Sequence, residues 1–202
     1  MAGNLLIIAV LSYFIGSFPT AYLFVQWKFH TDITHAGSRN VGTLNTLRVT
    51  HSKRLTVLVF LIDLLKGMLS VWMASVLFGQ NFENMLVAAS FVVLGHDFPV
   101  WLKFHGGRGL ATAAGVFLFI QPYVVLIWLG LWFLIYMLTR KVAYANALAT
   151  LLAPGILLIR AFHLYDHATF VITFAVAVIV FIKHIPRLAH AMRGDEPVKQ
   201  FE

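Results

Sequence analysis

"GLATAAGVFLFIQPYVVLIWLGLWFLIYMLT", residues 109–139, runs without a single charged side chain. About 20 apolar residues are enough for a helix to cross the hydrocarbon of a bilayer. The stretch is too long for one membrane helix, and Gln121-Pro122 lies inside it. Proline has no amide hydrogen to donate, so a break is expected there, giving a short helix over 109–121 and a full one over 122–139. That break decides between six spans and seven, and so on which side of the membrane the C-terminus lies.

Outward from this stretch, further apolar runs read as spans over 4–27, 55–78, 84–102, 142–161 and 167–183. The chain of 202 residues is 60% hydrophobic and 11% charged, with a mean hydropathy of +0.83. A soluble domain carries about a quarter charged residues, so this composition is built for lipid. There is no cysteine, hence no disulfide and no thiolate metal site. The first apolar run has no basic residue before it and outlasts the core of a signal peptide, so it reads as a span. No linker, repeat or low-complexity tract divides the chain, and one integral-membrane domain over 1–202 is expected.

The net charge of +7 raises nucleic acid as a partner, but the placement of the charges argues against it. With seven spans and the N-terminus outside, the loop 28–54, the turns 103–108 and 140–141 and the tail from 183 all face the cytoplasm. They then hold every one of the 15 Lys and Arg residues except Lys66, within a span, and Arg160, outside. This is the positive-inside bias. The expected fold is all-α and polytopic, with about seven transmembrane helices, N-terminus out and C-terminus cytoplasmic.

Three polar segments fall on that cytoplasmic side. "HAGSRNVGTLNTLR", 35–48, lies in the longest loop. Gly37 and Gly42 allow unusual backbone angles, while Ser38, Asn40, Asn45 and Arg48 offer donors to phosphate or carbonyl oxygens. A polar loop that meets lipid headgroups or caps helices has the same composition. In "LGHDFPVWLKFHGGRGLATAAG", 94–115, Gly106, Gly107 and Gly109 would let backbone N–H groups approach an anion at the start of a helix. Arg108 would supply a planar fork, with Lys103 and His96 nearby. A tight turn between spans also needs glycine, and a histidine at a helix end is often structural.

The third segment, "KHIPRLAHAMRGDEP", 183–197, reads as a basic anchor on anionic lipid, or as a tail in which His184, Arg187 and Glu196 fold back over a site. Asp63 and Lys66, three residues apart on one helix face, would neutralise each other in the membrane, and Lys66 is also a candidate substrate contact.

Together the segments resemble the membrane-integral bacterial family that acylates glycerol 3-phosphate from acyl phosphate, the PlsY type. Its first motif, G-S-G-N-x-G-x-x-N-x-x-R, aligns with Gly37, Ser38, Arg39, Asn40, Gly42, Asn45 and Arg48; only Arg39 departs. A following D-x-x-K-G is matched by Asp63, Lys66 and Gly67. The second motif, G-H-x-x-P and then K-F-x-G-G-K-G-x-A-T, is matched from Gly95 and His96 through Thr112, with Arg108 in place of lysine. In the third, H-x-x-N-I-x-R-L-x-x-G-x-E, His184, Gly194 and Glu196 fit, while Arg187 stands for Asn and His190 for Arg. Ala143 occupies a usual serine, with Asn146 beyond it. The pattern is that of a divergent member.

The resemblance implies acyl transfer to the 1-hydroxyl of glycerol 3-phosphate, giving lysophosphatidic acid, at a site facing the cytoplasm from the bacterial inner membrane. It implies no cofactor and no metal. Acyl phosphate, glycerol 3-phosphate and membrane lipid are the expected partners, with the acyl-phosphate-forming enzyme a candidate and nucleic acid none. Ser38, Arg48, His96 and His184 are the catalytic candidates. Gly37, Asn40, Gly42, Asn45, Lys66, Lys103, Gly106, Gly107, Arg108, Gly109, Arg187 and Glu196 are the substrate- and phosphate-binding ones.

His184, His96 or a substrate phosphate would take the hydroxyl proton, and no spacing assigns a base to Ser38. Three other readings compete with this one. "HAMRGD", 190–195, matches the H-x4-D of other acyltransferases, without the rest of their pattern. A metal-dependent phosphotransferase needs clustered aspartates, and only Asp63 lies in a span. A transporter suits intramembrane charge and broken helices, but needs polar groups reaching both faces.

Overall fold

The computed structural model describes residues 2–161 and 167–193, and among them every regular element is helical. The helices are α1 (Ala2–Ser17), α2 (Thr20–Phe29), α3 (Thr43–Thr50), α4 (Lys53–Phe78), α5 (Phe82–Asp97), α6 (Leu110–Ile120), α7 (Pro122–Thr139), α8 (Val142–Ala161) and α9 (His167–Met192). A 3-10 turn, Val100–Leu102, follows α5. Gly194, Asp195 and Glu196 lie outside the described residues, and with them the end of the H-x4-D match.

Proline punctuates the chain more often than the sequence reading allowed. The break at Gln121-Pro122 is present: α6 stops at Ile120 and α7 starts on Pro122, whose missing N–H is harmless in a first turn. The same chemistry divides the expected first span at Phe18-Pro19, and it ends the helix of the third at Asp97, ahead of Pro99. Pro186 is tolerated inside α9, which continues to Met192 instead of ending near residue 183. The loop 28–54 is also more ordered than expected, because α3 occupies 43–50 within it.

Among the described residues, five helical stretches are long and apolar enough to cross a membrane: Gly3–Phe29, Lys53–Phe78, Phe82–Leu102, Pro122–Thr139 and His167–Met192. Leu110–Ile120 and Val142–Leu157 are shorter apolar helices. Along α4, Leu65, Leu69 and Val76 are exposed while Asp63, Lys66 and Ser70 are buried. That polarity is inverted relative to a soluble helix, as it must be when the surroundings are lipid.

The chain divides into two compact units, 1–120 and 121–202. In the first, α1 pairs with α5 and α4 with α6. Both crossings are closed by small residues. The Gly16 and Gly95 α-carbons rest on the carbonyls of Val92 and Tyr13, and those of Gly67 and Gly115 on the carbonyls of Thr112 and Leu64. Backbones this close leave no room for a Cβ, the usual basis of tight helix contact in lipid. In the second unit α8 packs against both α7 and α9, with Ala145 and Ala149 buried against Ile135 and the Trp128 and Trp132 side of α7. The Trp128 and Trp132 indoles of α7 donate to Thr150 and Asn146 of α8 at 3.0 and 2.6 Å.

Candidate active site

The first polar segment folds around Asn45, which α3 carries fully buried. Its Oδ1 accepts the Ser38 N–H at 2.8 Å, and its Nδ2 donates to the carbonyls of Ala36 (3.0 Å) and Ile33 (3.4 Å). The turn it braces needs left-handed backbone at Gly37 (φ 59°) and also at Arg39 (φ 58°). Asn45 was expected to offer its amide to a ligand, but that amide is committed to the loop's own backbone. Ser38 and Asn40 stay half-buried on the turn, and Arg48 is half-buried in the last turn of α3.

The second segment departs from expectation in a similar way. The Gly106 and Gly107 amides were expected to be open to an anion; they donate instead to the carbonyls of Asp97 (3.1 Å) and His96 (3.0 Å), closing the end of α5. These two glycines serve close packing. A Cβ on Gly106 would strike the His96 carbonyl and the Pro99 ring, and one on Gly107 would strike His96 Nε2. Gly109 alone of the three has a positive φ, 71°. Arg108 is half-buried just before α6, whose first N–H groups have no partner within the helix. Lys103 is exposed, with Lys103 and Phe104 both left-handed at φ 50° and 63°.

The two segments meet. The Val41 N–H, at the centre of the first, donates to the Gly106 carbonyl of the second at 3.5 Å. Beneath this junction lies a pocket of about 10 Å³, room for roughly one water, bordered by Thr20, Asp63, Lys66, His96, Gly106 and Gly107. Asp63 Oδ1 is its hub. It sits 2.8 Å from Lys66 Nζ, accepts the Thr20 hydroxyl at 3.0 Å, and faces His96 Nδ1 at 3.7 Å. Lys66 Nζ also donates to the Phe18 carbonyl at 3.2 Å, which at the Pro19 break accepts the Thr20 N–H at 3.0 Å as well. Asp63 and Thr20 are members of this cluster that the site reading had not included. The i,i+3 charge pair within an apolar run was the available signal.

On its other side Lys66 borders an open apolar groove of about 460 Å³, formed by Ile62, Leu65, Met68, Leu69 and Trp72 of α4 and Phe119 of α6.

The chain is similar to known proteins over nearly its whole length. The family model described as "Glycerol-3-phosphate acyltransferase" matches residues 6–194. The chain belongs to the glycerol-3-phosphate acyltransferase family. A glycerol-3-phosphate acyltransferase of Staphylococcus saprophyticus is 35% identical over 201 residues, covering 96% of both chains. One from the Wolbachia pipientis of Culex pipiens is 34% identical over 190 residues, covering 94% of this chain and 96% of its own. Among solved structures, the glycerol 3-phosphate form of PlsY, an integral membrane acyltransferase, superposes with a TM-score of 0.82 at 29% identity over 95% of this chain and 94% of that one. Its lysophosphatidic acid form gives 0.80 at 28%, over 95% and 93%. With the apolar helices, this makes the chain a multi-pass, all-helical membrane protein.

The family's third motif lies in the second unit. His184 is buried on α9 and its Nδ1 lies 2.8 Å from the Val180 carbonyl, which fixes the proton of a neutral ring on Nδ1. Arg187, one turn on, shares that face and is half-buried. Ala143 is buried, and Asn146 accepts from Trp132.

Proposed function

We propose that this acyltransferase moves a fatty acyl group from acyl phosphate to the 1-hydroxyl of glycerol 3-phosphate, releasing lysophosphatidic acid and inorganic phosphate. The observation that carries the reading is Lys66. Its ammonium lies in a polar pocket under two joined polar segments, and its side chain also borders an apolar groove. A substrate with an anionic head and a hydrocarbon tail has a use for both.

In the reaction the 1-hydroxyl oxygen attacks the acyl carbon. The anhydride C–O bond then breaks, phosphate leaves with the electron pair, and the hydroxyl proton passes to an acceptor. The acyl phosphate is already activated, so positioning and charge stabilisation are the main demands on the protein. Arg48, Arg108 and Arg187 neutralise phosphate oxygens, and Arg108 does so as a fork in place of a point charge. Ser38 and Asn40 offer donors to the acyl phosphate, while Gly37, Gly42 and Asn45 shape their loop. Gly106, Gly107 and Gly109 shape the turn, and Lys103 adds positive charge outside it.

The proton acceptor is His184 or a substrate phosphate. Covering of Nε2 by Gly107 and the Asp63 carboxylate near Nδ1 argue that His96 organises the pocket instead. Seven spans with the N-terminus outside, α6 and α8 being the short ones, put the three motifs on the cytoplasmic face of the inner membrane, where both phosphates are. The enzyme that forms acyl phosphate is the partner this arrangement would take its donor from.

The test is direct: purified protein is incubated with palmitoyl phosphate and glycerol 3-phosphate. Lysophosphatidic acid and phosphate in equal amounts are expected. No product, beside an active relative under the same conditions, overturns the reading.

A further inference from the structure

Asp63 and Lys66 have side chains only 3% and 7% exposed, about 15 and 20 Å along α4 from its first residue. Removing two charges from water is costly, and an apolar pair would pack α4 equally well. The pair is also more tightly determined than neutralisation requires. One carboxylate oxygen gathers Lys66 and Thr20, and Thr20 opens α2 directly after the Pro19 break. At the same break the Phe18 carbonyl accepts from both Lys66 and the Thr20 N–H. An ammonium has three donors. Two are engaged here, so its position is fixed and one donor remains for a ligand.

The ammonium is fixed in the polar pocket, and the Lys66 side chain that carries it also borders the apolar groove. Glycerol 3-phosphate has no hydrocarbon tail to lie in that groove; a phosphate esterified to or in anhydride with a fatty chain does. We infer that Asp63 is a positioning residue that aims Lys66 at the phosphate of the acyl donor. The pair thereby selects an anionic head carried on a lipid-soluble chain. The inference rests on the acyl-transfer reading above. The close α4–α6 crossing at Gly67 and Gly115 holds this stretch of α4 beside Phe119, so that groove and cation keep register.

The experiment compares wild type, Asp63→Asn, Lys66→Met and the double variant, each checked for monodisperse elution and a thermal midpoint in detergent. Asp63→Asn keeps an oxygen for Thr20 but removes the charge that holds Lys66. It is expected to raise KM for palmitoyl phosphate about tenfold, with KM for glycerol 3-phosphate within about twofold of wild type. Lys66→Met should do the same. The double variant should be no worse than Lys66→Met alone, since residues acting through one contact are not additive.

A merely structural role lowers the active fraction, hence kcat, and leaves KM unchanged; that pattern overturns the inference. So does a double variant about tenfold below Lys66→Met. If Asp63→Asn does not fold, the double variant, which buries no unpaired charge, still decides by the same comparison. Inactive wild type would remove the acyl-transfer reading and this inference with it. Active wild type with an unchanged donor KM in Lys66→Met removes this inference alone.

Discussion

The Val41 amide reaches the Gly106 carbonyl across 65 positions of chain, and this 3.5 Å contact joins the two polar segments that composition alone left as separate loops. It depends on Gly106 and Gly107 lying flat against His96 and Pro99. Gly107→Ala places a methyl on the His96 ring, which is buried and cannot turn away freely. Overpacking of this kind costs about 1–3 kcal/mol. We expect a lower thermal midpoint and at least a tenfold loss of kcat/KM, measured on purified protein. Wild-type kinetics would mean that the turn is not part of the site.

Asn45 gives a prediction of the opposite kind. Its three bonds are all to the loop backbone, so Asn45→Ala takes a partner from the part-buried Ser38 N–H and from the Ala36 and Ile33 carbonyls, at about 1–3 kcal/mol for each that water does not reach. The expected outcome is reduced stability and a lower kcat, with any residual activity showing near-normal KM values. A large KM increase with unchanged stability would return Asn45 to the ligand shell.

Arg48 should separate cleanly from folding. It sits half-buried in the last turn of α3, where alanine is the better helix former. Arg48→Ala is expected to leave the thermal midpoint nearly unchanged and lower kcat/KM on the order of 100-fold, as for one lost charge-assisted contact to phosphate. Arg48→Lys should recover part of it, because charge returns without the fork. Near-wild-type turnover in Arg48→Ala would take it out of the site.

These variants trace what the sequence could and could not convey. Apolar length and the Gln121-Pro122 break were legible because a helix in lipid must satisfy its own backbone, and proline cannot. Pro19 and Pro99 carry the same message. They were overridden because the apolar residues around them kept the hydropathy of one long span, and the breaks they make are the ones that build the pocket. The donors of Asn45 and of the Gly106 and Gly107 amides were read as available to a ligand. Sequence lists donors without saying which carbonyls the fold brings to them. Asp63 was visible as a charge at depth, but its partners Thr20 and His96 come from α2 and α5, 43 and 33 positions away in the chain by number.

The loop ahead of α3 has its own pH response. Asp32 accepts the Thr34 hydroxyl at 2.6 Å and the Thr34 N–H at 2.8 Å, with His35 at 3.2 Å. The Thr34 hydroxyl chiefly holds its carboxyl below the ordinary 3.8, against the opposing effect of burial and with help from the Thr34 N–H and His35. A depressed carboxylate stabilises the fold fully above its unfolded value and loses that contribution as pH falls through the folded one. Asp32→Asn should therefore cost a little above the ordinary 3.8, and progressively less as pH falls below it. The thermal midpoint of the variant, read against wild type across that window, is expected to converge at the acid end. Because Asp32 is largely in solvent the difference is small, and a gap that widens toward acid would contradict the assignment.

The groove beside Lys66 sets the last expectation. Leu69 stands on its wall between Leu65 and Trp72, all on α4, and faces outward from the packed side of the helix. Leu69→Trp adds bulk to that wall without adding a polar atom or disturbing the α4–α6 crossing, which is made by Gly67 on the opposite side. If the donor's chain lies there, long-chain acyl phosphates lose kcat/KM by roughly tenfold, about the worth of one or two methylenes denied their contact. Short-chain donors and KM for glycerol 3-phosphate should be unaffected. An equal loss for every chain length would mean that the chain runs elsewhere and that Lys66 meets the donor from the polar side only.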